Sequence, residues 1–512
     1  MKLNKIFNTL SIAAVAFFAT ACQDTDAQYS IPEVGAPEYV SITPAESDVL
    51  LFGDKVIKVK FDKKVNFMTK NTSKITLNGV PVKKALVLGA DSVLTIYADV
   101  SFSKTQNLVI PAGLITGSQG DPYDKDINVT WVVKDLPANK ATEMTQKLGW
   151  GWNLGNHFDT SNMDYGYWDG ATPTAATFEA LAAAGAKTVR IPVTWTIHMD
   201  ENNVIDAAYL DEVAGVVDLA IAAGLNVILN THHDSFETEI GSAALIPDKA
   251  EEYAALITTL WTQVATKFAN YGDQLIFETF NEVHSGDDWS TGSDPQFAML
   301  NNWNQLAIDA IRSTGGNNAT RWIGISGYAA NIDLTIAHLT IPADDHVMVA
   351  VHCYDPYAFC LHPMNDDGSV AVNSWGHNAD PKKSISGANE EYVLAQLYKL
   401  RTAYIEKGIP CYLGEYGCVW QSTESANAFR KYYLEYYCRA AHLAGIPMFV
   451  WDNNAKGSGN EANGFIDHAN GAWLNDSETV VPMMVKACTD DSYYDFETIW
   501  THSPETPATE EE

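Results

Sequence analysis

The chain has 512 residues and sets 64 acidic side chains against 32 basic ones, a formal charge of −32. Such a chain is unsuited to gripping nucleic-acid phosphates or anionic lipid headgroups, which demand Lys/Arg clusters. With 14 Trp, 23 Tyr and 19 Phe it is not a disordered, solvated polymer either. Its length allows two to four domains, with one large barrel also permitted.

The charge is uneven. Residues 36–135 carry a net +1, residues 136–512 a net −32, and 13 of the 14 Trp follow position 135. Two different modules are therefore joined near there. Ahead of both, Lys2 and Lys5 precede the apolar run Leu10–Ala19, which leads into Thr20-Ala21-Cys22. A basic start, a short apolar stretch and small residues before the cut mark a secretory signal over 1–22, too short for a permanent bilayer span. The cysteine placed directly after the small residues resembles a bacterial lipobox, which implies acylation of Cys22 and a stable anchor if several chains are attached. The alternative is a plain signal peptide with an incidental cysteine. Gln23-Asp-Thr-Asp26 resembles the surface-export signal of Bacteroidetes-type lipoproteins. The expected location is the bacterial outer membrane, facing outward, with the membrane engaged only through lipid at Cys22. Residues 23–37, polar with Pro32 and Pro37, read as a linker.

From 38 to 135 apolar residues recur at every second position in short runs: Val56–Phe61, Lys74–Leu77, Ser92–Tyr97, Asn107–Ile110 and Asn128–Val133. Asn78-Gly79 and Gly89-Ala-Asp91 supply turns, and nothing has helical period. This predicts an all-β, immunoglobulin-like sandwich acting as an accessory spacer; Val59–Val65, Leu77-Asn-Gly and Ile110–Leu114 resemble bacterial Ig-like modules. Asp121, Asp124 and Asp126 lack a full Ca²⁺ ligand pattern and read as a charged turn.

After 144 strand-like and helical segments alternate up to about 502. The strand candidates are Leu148–Leu154, Val189–Val193, Asn226–Thr231, Leu275–Asn281, Trp322–Ser326, Val347–Tyr354, Pro410–Tyr416 and Pro447–Asp452. Helical patterns cover Thr174–Ala184, Ala207–Ala223, Lys249–Asn270, Phe297–Arg312, Glu390–Lys407 and Ala426–Ala444. Eight such units predict an α/β fold, a (β/α)₈ TIM barrel over 144–502. The rival, an open doubly wound sheet, would carry a Gly-rich phosphate turn, and no such motif is present. Residues 503–512 have too few apolar side chains to pack and read as a disordered tail. Six cysteines remain, at 353, 360, 411, 418, 438 and 488; an exported chain could oxidise them, and sequence does not choose among their pairings.

Barrel enzymes place their chemistry at the C-terminal ends of the strands. Here those ends carry Asn156, Arg190, His232, Asn281, Glu282, His352, Tyr354, Glu415 and Trp451. One exposed glutamate at a strand end is unremarkable; two, with Arg and His on other strands, point to a site. The motifs Gly149–Asn156, Val189–Trp195, Asn230–Asp234, Phe277–Glu282, His352–Pro356, Leu413–Gly417 and Val450–Asn453 occur in that order. Together they resemble glycoside hydrolase family 5, most closely its subfamily 4 of endo-β-1,4-glucanases and xyloglucanases. One departure is that Val283-His284 follow Asn281-Glu282, where many relatives have Pro-Arg.

The resemblance implies a retaining β-glycanase acting on plant cell-wall β-glucan, with Glu282 as acid/base and Glu415 as nucleophile. It further implies Asn281 on the sugar 2-hydroxyl, His352 orienting the acid, Tyr354 on the nucleophile, His232 lining the −1 subsite and Trp451 as a platform beneath that sugar. A neighbouring anion and partial burial are expected to raise the pKa of Glu282, with Arg190 keeping Glu415 ionised. Trp152, Trp168, Trp289, Trp375 and Trp420 are further cleft candidates. His232-His233-Asp234 invites a metal, but adjacent strand residues point to opposite faces, so neither a metal nor a cofactor is expected. The expected partner is polysaccharide, bound by a monomer, with no nucleic acid. The alternatives are a β-mannanase on the same machinery and a catalytically inactive glycan-binding lipoprotein.

Overall fold

The computed structural model describes residues 35–163, 166–234, 249–286 and 288–506. The signal over 1–22, its Cys22, most of the linker and residues 507–512 lie outside the described residues. The chain divides into two compact units after Lys134. Among the described residues no helix is long and apolar enough to cross a membrane.

The first unit contains β1 (Tyr39–Thr43), β2 (Gly53–Phe61), β3 (Val65–Phe67), β4 (Thr76–Leu77), β5 (Val80–Pro81), β6 (Lys84–Val87), β7 (Val93–Val100), β8 (Thr105–Ile110), β9 (Ile115–Gly117) and β10 (Ile127–Val132). They form two four-stranded antiparallel sheets, β1-β2-β7-β6 and β10-β8-β4-β5, plus a β3-β9 ribbon. Alternation explains the architecture. In β2, Ile57, Val59 and Phe61 are buried while Lys58 and Lys60 face solvent; in β10, Ile127, Val129 and Trp131 point inward. Both sets join one core, which makes the unit a sandwich. The expected strand from Lys74 begins two residues later, because Thr69–Lys74 is a 3₁₀ turn.

The second unit contains α1 (Lys140–Leu148), β11 (Trp150–Asn153), α2 (Ala175–Ala183), β12 (Thr188–Ile191), α3 (Ala207–Ala222), β13 (Asn226–Asn230), α4 (Ala250–Lys267), β14 (Leu275–Glu278), α5 (Asp294–Ser313), β15 (Ile323–Asn331), α6 (Ile332–His338), β16 (Val347–His352), α7 (Glu390–Ala403), β17 (Cys411–Tyr416), α8 (Glu424–Ala444), β18 (Met448–Val450) and α9 (Ser477–Thr489). Strands β11 to β18 close in chain order into a parallel barrel, β11 pairing with β18. This is the (β/α)₈ architecture the alternating pattern predicts. The strand β15 runs longer than expected because a register shift separates Ser326 from Asn331. Within that bulge Ala329 and Ala330 take positive φ, +53° and +48°, an unusual conformation for residues bearing a Cβ.

Three segments differ from the sequence reading. The stretch between the two expected modules runs into α1, capped by Asn139, whose Oδ1 accepts from the backbone N–H groups of Ala141 and Thr142 at 3.0 and 3.1 Å. Its Met144 and Leu148 pack with Ile228, Ile276, Met348, Ala350, Tyr412 and Phe449, so α1 plugs the barrel. The helix α9 carries Pro482 in its interior, which argues against a helix when read from sequence. The expected disordered tail starts too early: Ser503 is buried, and the Thr506 hydroxyl donates to the Asn378 carbonyl. All six cysteines are buried free thiols.

Above the apolar plug the barrel interior turns polar. Glu278 on β14 is fully buried and accepts a 2.7 Å hydrogen bond from the Tyr412 hydroxyl. Gly324 on β15 makes room for that pair, since a Cβ there would overlap the Tyr412 hydroxyl and touch the Glu278 side chain. Gly324→Ala is therefore expected to destabilise the barrel by ~1–3 kcal/mol. Removing the hydroxyl as well, in Gly324→Ala/Tyr412→Phe, should cost less than the sum of the single changes in urea unfolding.

Candidate active site

Each strand end delivers one or two polar groups, and Arg190 gathers them. Its side chain is fully buried at the end of β12. Nη2 and Nε donate to Glu278 Oε1 at 2.6 and 3.0 Å, and Nη1 to Asn153 Oδ1 at 3.0 Å. Nη1 also donates to Glu415 Oε1 at 2.8 Å, and Nη2 to Asn281 Oδ1 at 2.7 Å. Burial opposes the charge on Arg190, but Glu278 and Glu415 more than offset it and hold the guanidinium above its ordinary pKa. Glu278 is held ionised in return: burial pushes its carboxyl up, and Arg190 brings it below the ordinary range.

Glu415, on β17, accepts from Arg190 on one oxygen and from the Tyr354 hydroxyl on the other, at 2.9 Å. Burial, and then Glu415 itself, push the Tyr354 phenol well above its ordinary pKa, so it acts as a donor throughout. Glu282 stands just beyond β14 and lies 2.6 Å from His352 Nδ1. The same nitrogen is 3.8 Å from Glu415 Oε1, and one oxygen of each glutamate together with a His352 nitrogen fall within 4.8 Å of one another.

The protonation of Glu282 differs from expectation. Burial does push its carboxyl up, but the charge and hydrogen bond of His352, with Arg190 behind them, bring it below the ordinary value. His352 moves the other way: burial lowers it, while Glu415 and Glu282 raise it above the ordinary imidazole value. The two titrate as one coupled pair across the 2.6 Å contact.

Beside this pair, the His232 and Trp451 rings lie nearly parallel, 10° apart in plane with centroids 5.9 Å apart. His232 Nδ1 accepts from Asn230 Nδ2 at 3.2 Å, and burial holds this imidazole neutral, well below its ordinary pKa. The expectation that His232 and His233 diverge is incorrect. β13 ends at Asn230, so strand alternation no longer applies, and donor atoms of Asp159, His232 and His233 lie within 4.8 Å of one another. Those three, and the Glu282–His352–Glu415 group, have the donor types and spacing of a cation site.

Asn156 is not joined to the carboxylates by any hydrogen bond described. It sits in a left-handed turn (φ +61°) where its carbonyl accepts from Asp169 N–H at 2.7 Å. In this motif the asparagine that bonds Arg190 is Asn153, because β11 ends there. Of the tryptophans, Trp152 and Trp375 are core residues, donating to Asp452 Oδ2 and the Ala388 carbonyl at 2.8 and 2.7 Å. Trp168 and Trp289 are 44% and 50% exposed, on the loops after β11 and β14. Trp289 stacks on His284 with centroids 3.7 Å apart. Trp420 lies over the Arg430 guanidinium at 5.5 Å. Glu278 and Asn230, absent from the sequence reading, complete the site.

Residues 151–457 match the model of the cellulase family, glycosyl hydrolase family 5. Endoglucanase A of Clostridium longisporum is 35% identical over 358 residues, 67% of this chain and 65% of its own length. The structure is similar to that of a broad-specificity endoglucanase from Bacteroides salanitronis (TM-score 0.63, 40% identity, 70% of this chain and 97% of that one). It is also similar to a Bacteroidetes-affiliated cellulase linked with a polysaccharide utilization locus (TM-score 0.66, 36% identity, 72% and 99%). With the strand-end carboxylates, the guanidinium between them and this likeness in both sequence and fold, the chain belongs to glycosyl hydrolase family 5.

Proposed function

We propose that the protein is a retaining endo-β-1,4-glucanase that cleaves internal bonds of plant cell-wall β-glucan by double displacement. The carrying observation is the carboxylate pair, whose nearest oxygens lie within 4.8 Å. Retaining enzymes hold their two carboxyls ~5–5.5 Å apart, whereas inverting ones need ~6.5–9.5 Å to admit a water between them. Glu415, held by Arg190 and Tyr354, attacks the anomeric carbon while Glu282 protonates the departing glycosidic oxygen. The proton comes from the Glu282–His352 pair. Glu282 then takes a proton from the water that hydrolyses the glycosyl ester on Glu415, returning both carboxyls to their starting state. Asn281, its carbonyl fixed by Arg190, presents its amide to the 2-hydroxyl, and Trp451 lies under the apolar face of the sugar in the −1 subsite.

The endoglucanase names of the relatives support β-glucan over mannan. A net charge of −32 suits a neutral polymer, whose binding should change little with salt. The motif ending at Cys22 supports export and lipid anchoring at the outer membrane, outside the cell.

Five outcomes follow. Glu415→Ala should lose at least ~10³-fold in kcat on β-glucan, read by reducing-sugar release; unchanged release would refute the assignment. Glu282→Gln should abolish turnover of polysaccharide yet still release dinitrophenol from a dinitrophenyl cellooligosaccharide, whose leaving group needs no acid. An NMR time course should show the β-anomer first, and rates on xyloglucan, mixed-linkage glucan, carboxymethylcellulose and mannan should place mannan last. Cys22→Ala should move the protein from the membrane fraction to the soluble fraction of a producing cell.

A further inference from the structure

A second buried charge cluster lies next to the catalytic one, and the mechanism above does not use it. His468, on the loop after β18, has a fully buried side chain between two buried carboxylates. Its Nδ1 lies 2.8 Å from Asp169 Oδ2, on the loop after β11, and its Nε2 makes a 3.3 Å charge contact with Asp452 Oδ1. Asp169 also takes His157 Nδ1 at 3.0 Å and the Ala171 N–H at 3.1 Å. Asp452 Oδ2 accepts from Trp152 Nε1 at 2.8 Å and from the Phe465 and Ile466 N–H groups at 3.0 Å each.

Asp452 follows Trp451 directly. Its carbonyl accepts from Gly155 N–H at 2.9 Å, and a Cβ on Gly155 would press into the Trp451 ring. The same two loops carry the exposed Trp168 and the backbone that fixes Trp451.

We infer that His468 is a positioning residue, a protonated clasp that draws the loops after the first and last barrel strands together and so holds Trp451 in place beneath the sugar. Two buried carboxylates at this spacing repel unless a cation stands between them. His468 is the group placed to supply that cation. Burial works against its charge, but Asp169 and Asp452 carry it up to about 9, while Asp169 is brought down to about 2, against burial, by His157 and His468. Of the two carboxylates His157 meets Asp169 alone, so it is not the group they share. The α2 side offers the neutral Thr177, whose hydroxyl donates to the His468 carbonyl, and Asp467 is engaged by Lys456 at 3.0 Å. Because the folded-state value is raised, the clasp is closed below the ordinary imidazole pKa and opens as pH rises through about 9.

The inference rests on the glucan-cleaving reading, and its test separates the two. Cellotetraose binding is measured by calorimetry from pH 5 to 10.5 in the Glu282→Gln background, which removes the carboxyl of the acid pair and leaves the His352 titration common to every variant compared. The parent should hold its affinity to about pH 8.5 and lose at least ~10-fold by pH 10.5. With His468→Arg, whose guanidinium does not titrate in this range, affinity should show no fall through pH 9. With His468→Gln it should be at least ~10-fold weaker at pH 7 and recover partly toward pH 5, as one aspartate takes up a proton. Identical pH profiles for parent and Gln variant would overturn the clasp, as would an Arg variant that falls at the parent's pH. If nothing binds cellotetraose at pH 6, the substrate reading fails instead. The clasp is then read from the unfolding midpoint, which should drop through pH 9 in the parent and not in the Gln variant; a parallel drop in both overturns it.

Discussion

Everything at the mouth of this barrel depends on one guanidinium. Arg190 is buried where a lone charge could not survive, and it survives because Glu278 neutralises it from below while Glu415 meets it from above. The planar fork then imposes geometry on whatever it touches. Asn153, Asn281 and Glu415 are each bound through a specific N–H, so three side chains from three different strands share one rigid template. A lysine could supply the charge but not the template. The order of this site is therefore inherited from the Arg190–Glu278 pair, fully buried beneath Glu415.

The second consequence concerns where protons rest. Two carboxylates this close compete for one proton, and Arg190 and Tyr354 tie up Glu415. The other half of the site, Glu282 and His352, is a hydrogen-bonded pair 2.6 Å apart. In the mechanism proposed above, the acid is therefore a hydrogen-bonded pair and not a single shielded carboxyl. The asymmetry between the two glutamates comes from their partners more than from their burial.

Much of this was legible in the sequence, and what was not has identifiable causes. The alternation in β2 and β10, and the apolar strands ending in polar residues, were sufficient to read a sandwich followed by an eight-stranded barrel. Arg190, Glu282, His352, Tyr354 and Glu415 could be read because each sits at or just beyond a strand end. Glu278 escaped notice because it lies one step earlier, inside Phe277-Glu-Thr-Phe, where a glutamate reads as one more outward-facing polar residue. Its signal was available in principle: a carboxylate in an otherwise buried strand requires a buried cation, and Arg190 stands on the neighbouring face of the barrel. Asn153 and Asn156 were confused because the strand ends three residues before the motif does. Asp169 and His468 are 299 residues apart and leave no local trace. The pairing of His232 with His233 was misjudged by extending strand geometry beyond Asn230.

The order in which the ribosome delivers these groups carries a last implication. Arg190 and Glu415 are separated by 225 residues, and β11 cannot close the barrel until β18 exists to pair with it. The first six units lack Glu415 altogether, and seven units carry both glutamates on a sheet whose two edges have not yet been joined by the eighth strand. The closed ring that sets Arg190 between its partners is thus the last thing the chain acquires during synthesis.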